Sequence, residues 1–182
     1  MSLFLLLSIL LGGLYPAIVT LLAQTFFPGP ANGSIIKVDG KIAGSRLIGQ
    51  NFSDPKYFWG RPSYTAGFPY NASSSGASNL NPANPALIEA VRKRAAFLRE
   101  HDPGNALPIP VDLVTGSASG LDPHISPAAA LYQVPRVARA RGKSEGEVSE
   151  LVKRFTEPRF LGVLGEERVN VLLLNLALDG KI

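Results

Sequence analysis

The segment Gly116-Ser117-Ala118-Ser119-Gly120, with Asp122 and His124 just beyond it, brings the three residue types of a serine hydrolase close together in the chain. A nucleophile elbow sets its serine at the centre of Gly-x-Ser-x-Gly, where a tight strand-to-helix turn exposes the hydroxyl. That central position is Ala118, so the elbow lacks its nucleophile. A triad built another way, from Ser117 or Ser119 with His124 and either Asp112 or Asp122, defines one reading: a membrane-anchored hydrolase. Ser and Gly also make turns unaided, and Asp122-Pro123 starts another.

Other chemistry fails on spacing. A P-loop needs a glycine five positions before its Gly-Lys pair so that backbone donors cradle phosphate. Gly142-Lys143-Ser144 has Val137 at that position. No Asp-Lys-Thr-Gly string is present to form an aspartyl-phosphate. His101 and His124 are the only histidines, neither has a second ligand at i+4, and there is no cysteine, so zinc and disulfides are not expected. His101 falls at a predicted helix end, where its positive form suits the macrodipole. The stretch Tyr70 to Leu80 is rich in small donors that could wrap an anion, although such loops commonly hold no ligand.

These residues need positioning, and the composition bounds how. A chain of 182 residues suits one domain of about 150 residues plus an appendage. Only 18% of residues are charged, against roughly 25% in soluble proteins, and none precedes Lys37. The net charge of +4 is scattered, with its densest group (Arg92, Lys93, Arg94) inside a predicted amphipathic helix. A basic stripe with interleaved aromatics is missing, so no nucleic acid is expected as a partner.

From Leu3 to Phe27 no charge interrupts the apolar run. As a helix it reaches about 37 Å, enough to cross a hydrocarbon core of about 30 Å with some tilt. A cleaved signal peptide would need a cationic start and a shorter apolar stretch, so a retained membrane anchor is expected. Gly12, Gly13 and Pro16 fall mid-span: the glycines permit close approach of a partner helix, and the proline favours a kink. Lys37, Lys41 and Arg46 follow the span and no cation precedes it, which by itself predicts a cytoplasmic C-terminal domain. A basic segment upstream of Met1 would reverse that balance.

The expected organisation is an anchor over 1–30 and a soluble α+β domain over 31–182. Ser34–Val38 and Lys41–Ala43 flank Asp39-Gly40, the pair that suits a type I′ hairpin turn. Residues 44–81 read as a long irregular segment, and loops of that length are usually functional. Asn84-Pro85 opens a helix that Asp102-Pro103-Gly104 stops. Pro110–Thr115 reads as a short strand. Ser126-Pro127 opens a second helix to Arg141, which Pro135 should kink or divide. Ser144 and Glu147 form a capping box before a third. Arg168–Leu174 reads as a strand, with Asn175–Asp179 as a last turn.

Several strings occur in one order along the chain: Asn32-Gly33-Ser34, Gly44-Ser45-Arg46-Leu47-Ile48-Gly49-Gln50, Arg61-Pro62-Ser63, Ser75-Gly76-Ala77-Ser78-Asn79-Leu80, Gly120-Leu121-Asp122-Pro123-His124-Ile125-Ser126-Pro127, Gln133-Val134-Pro135-Arg136-Val137-Ala138 and Arg168-Val169-Asn170-Val171-Leu172. Together with the single N-terminal span they resemble the C-subunit family of the bacterial Kdp potassium-transporting ATPase over nearly the whole chain.

The resemblance implies an accessory subunit with no catalytic site of its own. Its partners would be a channel-like subunit that selects K⁺ and a P-type ATPase subunit that hydrolyses ATP, with membrane lipid around the anchor. It implies a single-pass protein of the bacterial inner membrane whose soluble domain is periplasmic, and this placement is preferred to the one the charge count gives. The family is also credited with raising the pump's nucleotide affinity. ATP would act through the complex, with no cofactor held firmly. A loop likened to an ABC-transporter signature maps to Ser75, Gly76, Ser78 and Asn79, the candidate nucleotide contacts. Ala77 and Asn81 replace the usual second and last glycines of that loop, which weakens backbone approach to phosphate. Two rival readings are the anchored hydrolase and a stand-alone anchored ligand-binding module.

Overall fold

Uncharged side chains from Ser2 to Phe26 wind into one 25-residue helix, α1 (Ser2–Phe26), in the computed structural model, which describes all residues from Met1 to Ile182. None of the α1 side chains is buried within the chain, as expected of a rod whose solvent is hydrocarbon. Leu10–Leu14 widen into a π turn just before Pro16, whose missing N–H interrupts the regular ladder. The side-chain amide of Gln24, in the last turns of α1, bonds that of Asn32 beyond the helix, with Asn32 Nδ2 donating to Gln24 Oε1 at 3.0 Å.

The chain forms two compact units, Met1–Ser45 and Arg46–Ile182. The first holds α1 and an antiparallel hairpin of β1 (Ile35–Val38) and β2 (Lys41–Ser45). Asp39 and Gly40 take φ of 51° and 76°, the double positive φ that a type I′ turn requires. A register shift between Ile36 and Lys37 bulges the pair.

The second unit is an α+β domain. Its elements are α2 (Pro85–His101), β3 (His124–Ile125), α3 (Pro127–Arg141), α4 (Glu145–Arg154), β4 (Thr156–Glu157), β5 (Arg168–Asn170) and α5 (Val171–Leu178). The three strands form one antiparallel sheet in the order β3-β5-β4, pairing His124 with Asn170 and Thr156 with Val169. Asn84 and Ser126 cap α2 and α3, and Ser144 with Glu147 closes the expected capping box on α4. Residues 46–84 contain no helix or strand, as their composition predicts. Even so, Phe58 and Trp59 from this segment are fully buried and anchor it to the core. Leu113, Val137, Val148, Val152, Val169 and Leu174 pack in the same cluster.

Three expectations are corrected. Pro110–Thr115 is no strand: Val111–Leu113 form a 3₁₀ turn. Pro108 and Pro110 carry no N–H for a ladder, Leu113 N–H closes back on Pro110 O, and the Thr115 hydroxyl closes on Val111 O at 2.8 Å. The strand expected over Arg168–Leu174 ends at Asn170, whose side chain accepts the Leu173 N–H at 3.1 Å and so caps α5. Local capping and the helix preference of leucine override the β-branched start of that run. Of the kink or division expected at Pro135, the division does not occur, because α3 runs unbroken from Pro127 to Arg141.

Candidate functional site

Two loops, residues 60–80 and 116–122, are laced together by polar side chains, most of them from the motif strings. Arg61 donates from Nη2 to Gly116 O at 3.1 Å and from Nη1 to Asp122 Oδ2 at 3.2 Å. The Ser63 hydroxyl donates to Gly120 O at 2.7 Å and accepts the Tyr70 N–H at 2.9 Å. Tyr70 OH donates to Arg61 O at 2.7 Å, and burial pushes that phenol up to about 12. Gly120 sits at φ 67° with Gly76 O only 2.6 Å from where a Cβ would stand. A side chain there would therefore push the loops apart.

The candidate nucleotide contacts lie in this lacing. The Ser75 hydroxyl and the Gly76 N–H both donate to Ser119 O, at 3.0 and 2.9 Å. Ser78 Oγ accepts the Leu80 N–H at 3.5 Å, and Asn79 takes φ 52°. Two donors that a phosphate would need are thus already committed to one protein carbonyl.

The hydrolase constellation does not assemble. Ser117 and Ser119 accept the N–H groups of Gly120 and Leu121 at 2.9 and 3.1 Å, which makes them turn formers. The His124 ring faces Asp122 across 3.6 Å from Nδ1 to Oδ1 and bonds neither serine. His124 opens onto a groove of about 640 Å³ walled by Arg61, Asp112, Asp122, Glu166 and Arg168, whereas Ser117 and Ser119 line a different one with Leu47 and Leu121. The alternative reading has no support in this geometry. His101 sits at the end of α2 with Nδ1 2.9 Å from Phe97 O and its ring 4.2 Å from the Phe97 ring.

A second polar group centres on the backbone of Phe58 and Trp59. Gln133 and Asn175, both about 1% exposed, each bond a backbone residue through both halves of the amide: Gln133 with Trp59 and Asn175 with Phe58. Arg136 stacks over Trp59 with Cζ 3.7 Å from the ring centroid. It donates to Pro55 O, to Tyr57 O at 3.0 Å and to Gln133 Oε1 at 2.6 Å. Burial pulls the guanidinium down to about 10. Sequence reasoning gave these residues no role, although Gln133 and Arg136 fall in one of the motif strings. The available signal was a polar side chain interrupting an apolar stretch, Asn175 within Leu172–Leu178 and Gln133 beside Tyr132 and Val134.

On α1, a Cβ built on Gly12 or Gly13 meets nothing within 4 Å, so both glycines form an open notch on the helix surface one turn before Pro16.

Fold and site together define a class: an α+β domain carried on one apolar, uncharged helix, with its motif residues engaged in holding loops together. A family model described as "KdpC: K+-transporting ATPase, c chain" matches residues 1–180. Relatives described as "Potassium-transporting ATPase KdpC subunit" include one from Methylococcus capsulatus, 61% identical over 172 residues, 94% of this chain and 90% of the relative. Another, from Sorangium cellulosum, is 60% identical over 178 residues, 98% of this chain and 94% of the relative. A third, from Polaromonas naphthalenivorans, is 62% identical over 177 residues, 97% and 90% of the two chains. The chain belongs to the KdpC family, the c chains of K⁺-transporting ATPases.

Proposed function

We propose that this chain is the non-catalytic, membrane-anchored subunit of an ATP-driven K⁺ import complex, joining and stabilising a K⁺-selecting subunit and an ATP-hydrolysing subunit. The observation that carries the reading is the pairing of a wholly unburied 25-residue apolar helix with a domain whose motif side chains bond within the domain itself. A helix with no internal partner and an open notch at Gly12 and Gly13 suits packing against other membrane helices. The soluble domain then works on the periplasmic face of the inner membrane, where it caps a partner's outer surface. Any gain in the pump's nucleotide affinity reaches the ATPase subunit through subunit contacts, because the Ser75 and Gly76 donors are held by Ser119 O. ATP acts through the complex and is not held firmly by this chain.

Topology tests the placement. Alkaline phosphatase fused to the C-terminus should be active in intact cells, and activity only of a cytoplasmic reporter at that position would overturn it. Membrane extraction in mild detergent tests the subunit role: the chain should be recovered with two larger membrane proteins, and recovery of the chain alone would favour the stand-alone ligand-binding module.

A further inference from the structure

Residues 159–166, between β4 and β5, form a finger that the domain's own core does not use. Phe160 and Leu164 exchange backbone hydrogen bonds in both directions at 2.9 Å, and Arg159 clamps the base through Glu166 at 2.6 Å. The tip turns through Leu161 at φ 52° and Gly162 at φ 76°. Leucine is a poor residue for the left-handed region, which glycine would occupy without strain. Its presence there sets an apolar side chain at the extreme end of the turn. Phe160, Leu161, Val163 and Leu164 are 69%, 78%, 72% and 58% exposed. Four large apolar side chains held outward on one short pinned hairpin are a concentrated apolar surface, the kind that marks an interaction site.

The charges around the finger favour a protein occupant over a lipid one. Between Glu157 and Arg168 the finger and its flanks carry three carboxylates (Glu157, Glu166, Glu167) and two guanidiniums (Arg159, Arg168), with no Lys, Trp or Tyr. Glu157 is bridged by Arg46 and Arg168, and Glu166 is bridged by Arg159, whereas Glu167 has no ion pair. A segment that dips into a lipid surface relies on surplus Lys and Arg at the headgroups and on interfacial Trp or Tyr. This finger has no surplus of cations and no Trp or Tyr, and Glu167 at its base forms no ion pair.

We propose that the finger Arg159–Glu166 docks into a socket on another protein chain of the K⁺-transporting ATPase, one with an apolar floor for Leu161 and Val163 and a Lys or Arg at its rim facing Glu167. The proposal rests on the subunit reading above. Leu161 is the anchor, because it is the most exposed of the four and its backbone is strained to present it.

The chain has no cysteine, so Leu161→Cys introduces a single thiol that can carry a benzophenone. Irradiated in the assembled membrane complex, it should cross-link to one other protein chain, at a peptide that mapping shows to be apolar and flanked by Lys or Arg. Leu161→Gly provides the second arm, since glycine fits the turn. Its melting temperature should be no lower than that of the parent, yet its recovery with the complex should fall at least tenfold. If the unmodified chain is recovered with the ATPase chains but position 161 labels only lipid, a second copy of this chain or nothing, or if Leu161→Gly is recovered as well as the parent, the finger proposal fails and the subunit reading stands. If the unmodified chain is not recovered with those chains at all, the subunit reading fails and the finger proposal goes with it.

Discussion

Gln133 closes both backbone hydrogen bonds of Trp59: the Trp59 N–H donates to Oε1 at 2.9 Å, and Nε2 donates to the Trp59 carbonyl at 3.1 Å. One side-chain amide does here what a neighbouring strand would otherwise do, and it lets an irregular segment enter the core without orphaned polar groups. Gln133→Leu keeps the volume but leaves the Trp59 N–H and C=O unpaired and removes an acceptor from Arg136. The expected cost is about 2–4 kcal/mol by urea denaturation of the full chain in detergent. A loss below about 1 kcal/mol would show that the segment finds other partners.

The loops of the candidate site are set by close backbone approach. A Cβ on Gly116 would lie 2.4 Å from the Tyr64 ring and 3.1 Å from Pro62 O. Gly116→Ala should therefore destabilise by about 1–3 kcal/mol through overpacking. Gly142 at the end of α3 meets nothing within 4 Å, and its φ of 62° is the only obstacle to a side chain. Gly142→Ala should cost about 1 kcal/mol, and equal losses at the two sites would contradict the packing argument.

Acid should loosen the same region. Burial pushes the Asp122 carboxyl up, but the hydrogen bonds from His124 and the charge of Arg61 outweigh it and leave the group below its ordinary 3.8. At Glu157, burial is likewise outweighed by Arg46 and Arg168, which hold it below 4.5. A carboxylate with a depressed folded-state pKa contributes stability that is present above its ordinary value and is lost as pH falls through the folded value. Stability should thus decline below about pH 4, and Asp122→Asn should flatten part of that decline. Identical acid limbs for the two proteins would remove Asp122 from the account.

Ser75→Ala tests the nucleotide contact. Its hydroxyl donates to Ser119 O, so the ATP KM of the complex carrying the variant should stay within about twofold of the parent, with at most about 1 kcal/mol lost from domain stability. A tenfold rise in KM with unchanged stability would place phosphate at this loop.

Gly12→Leu with Gly13→Leu fills the open notch on α1 and leaves the span uncharged. Membrane insertion should be unchanged while recovery with the partner subunits falls severalfold. Unaltered recovery would mean that a different face of α1 meets the partner.

Much of the domain was legible because local signals act alone. Asn84, Ser126 and Ser144 mark their helix starts through bonds made within a few residues, and Asp39-Gly40 marks its turn through φ alone. Pro110–Thr115 and the residues after Asn170 were misread because β-branched residues imply strand only where a ladder partner exists, and here a hydroxyl and an amide cap nearer by. Strands β3 and β4, two residues each, carry no periodicity to read and exist only by pairing with β5. The lacing of Arg61 to Gly116 and Asp122 and of Ser63 to Gly120 joins positions 55 to 61 residues apart, and the order of the motif strings does not reveal such pairing.

The most direct test is to tag the full-length chain at its C-terminus, extract membranes from K⁺-limited cells in mild detergent, and identify what is recovered with it. A stoichiometric complex with a K⁺-selecting and an ATP-hydrolysing membrane protein, with residues 2–26 still attached to the chain, is the predicted result. Recovery of a soluble fragment lacking that helix, bound to neither protein, would contradict the account.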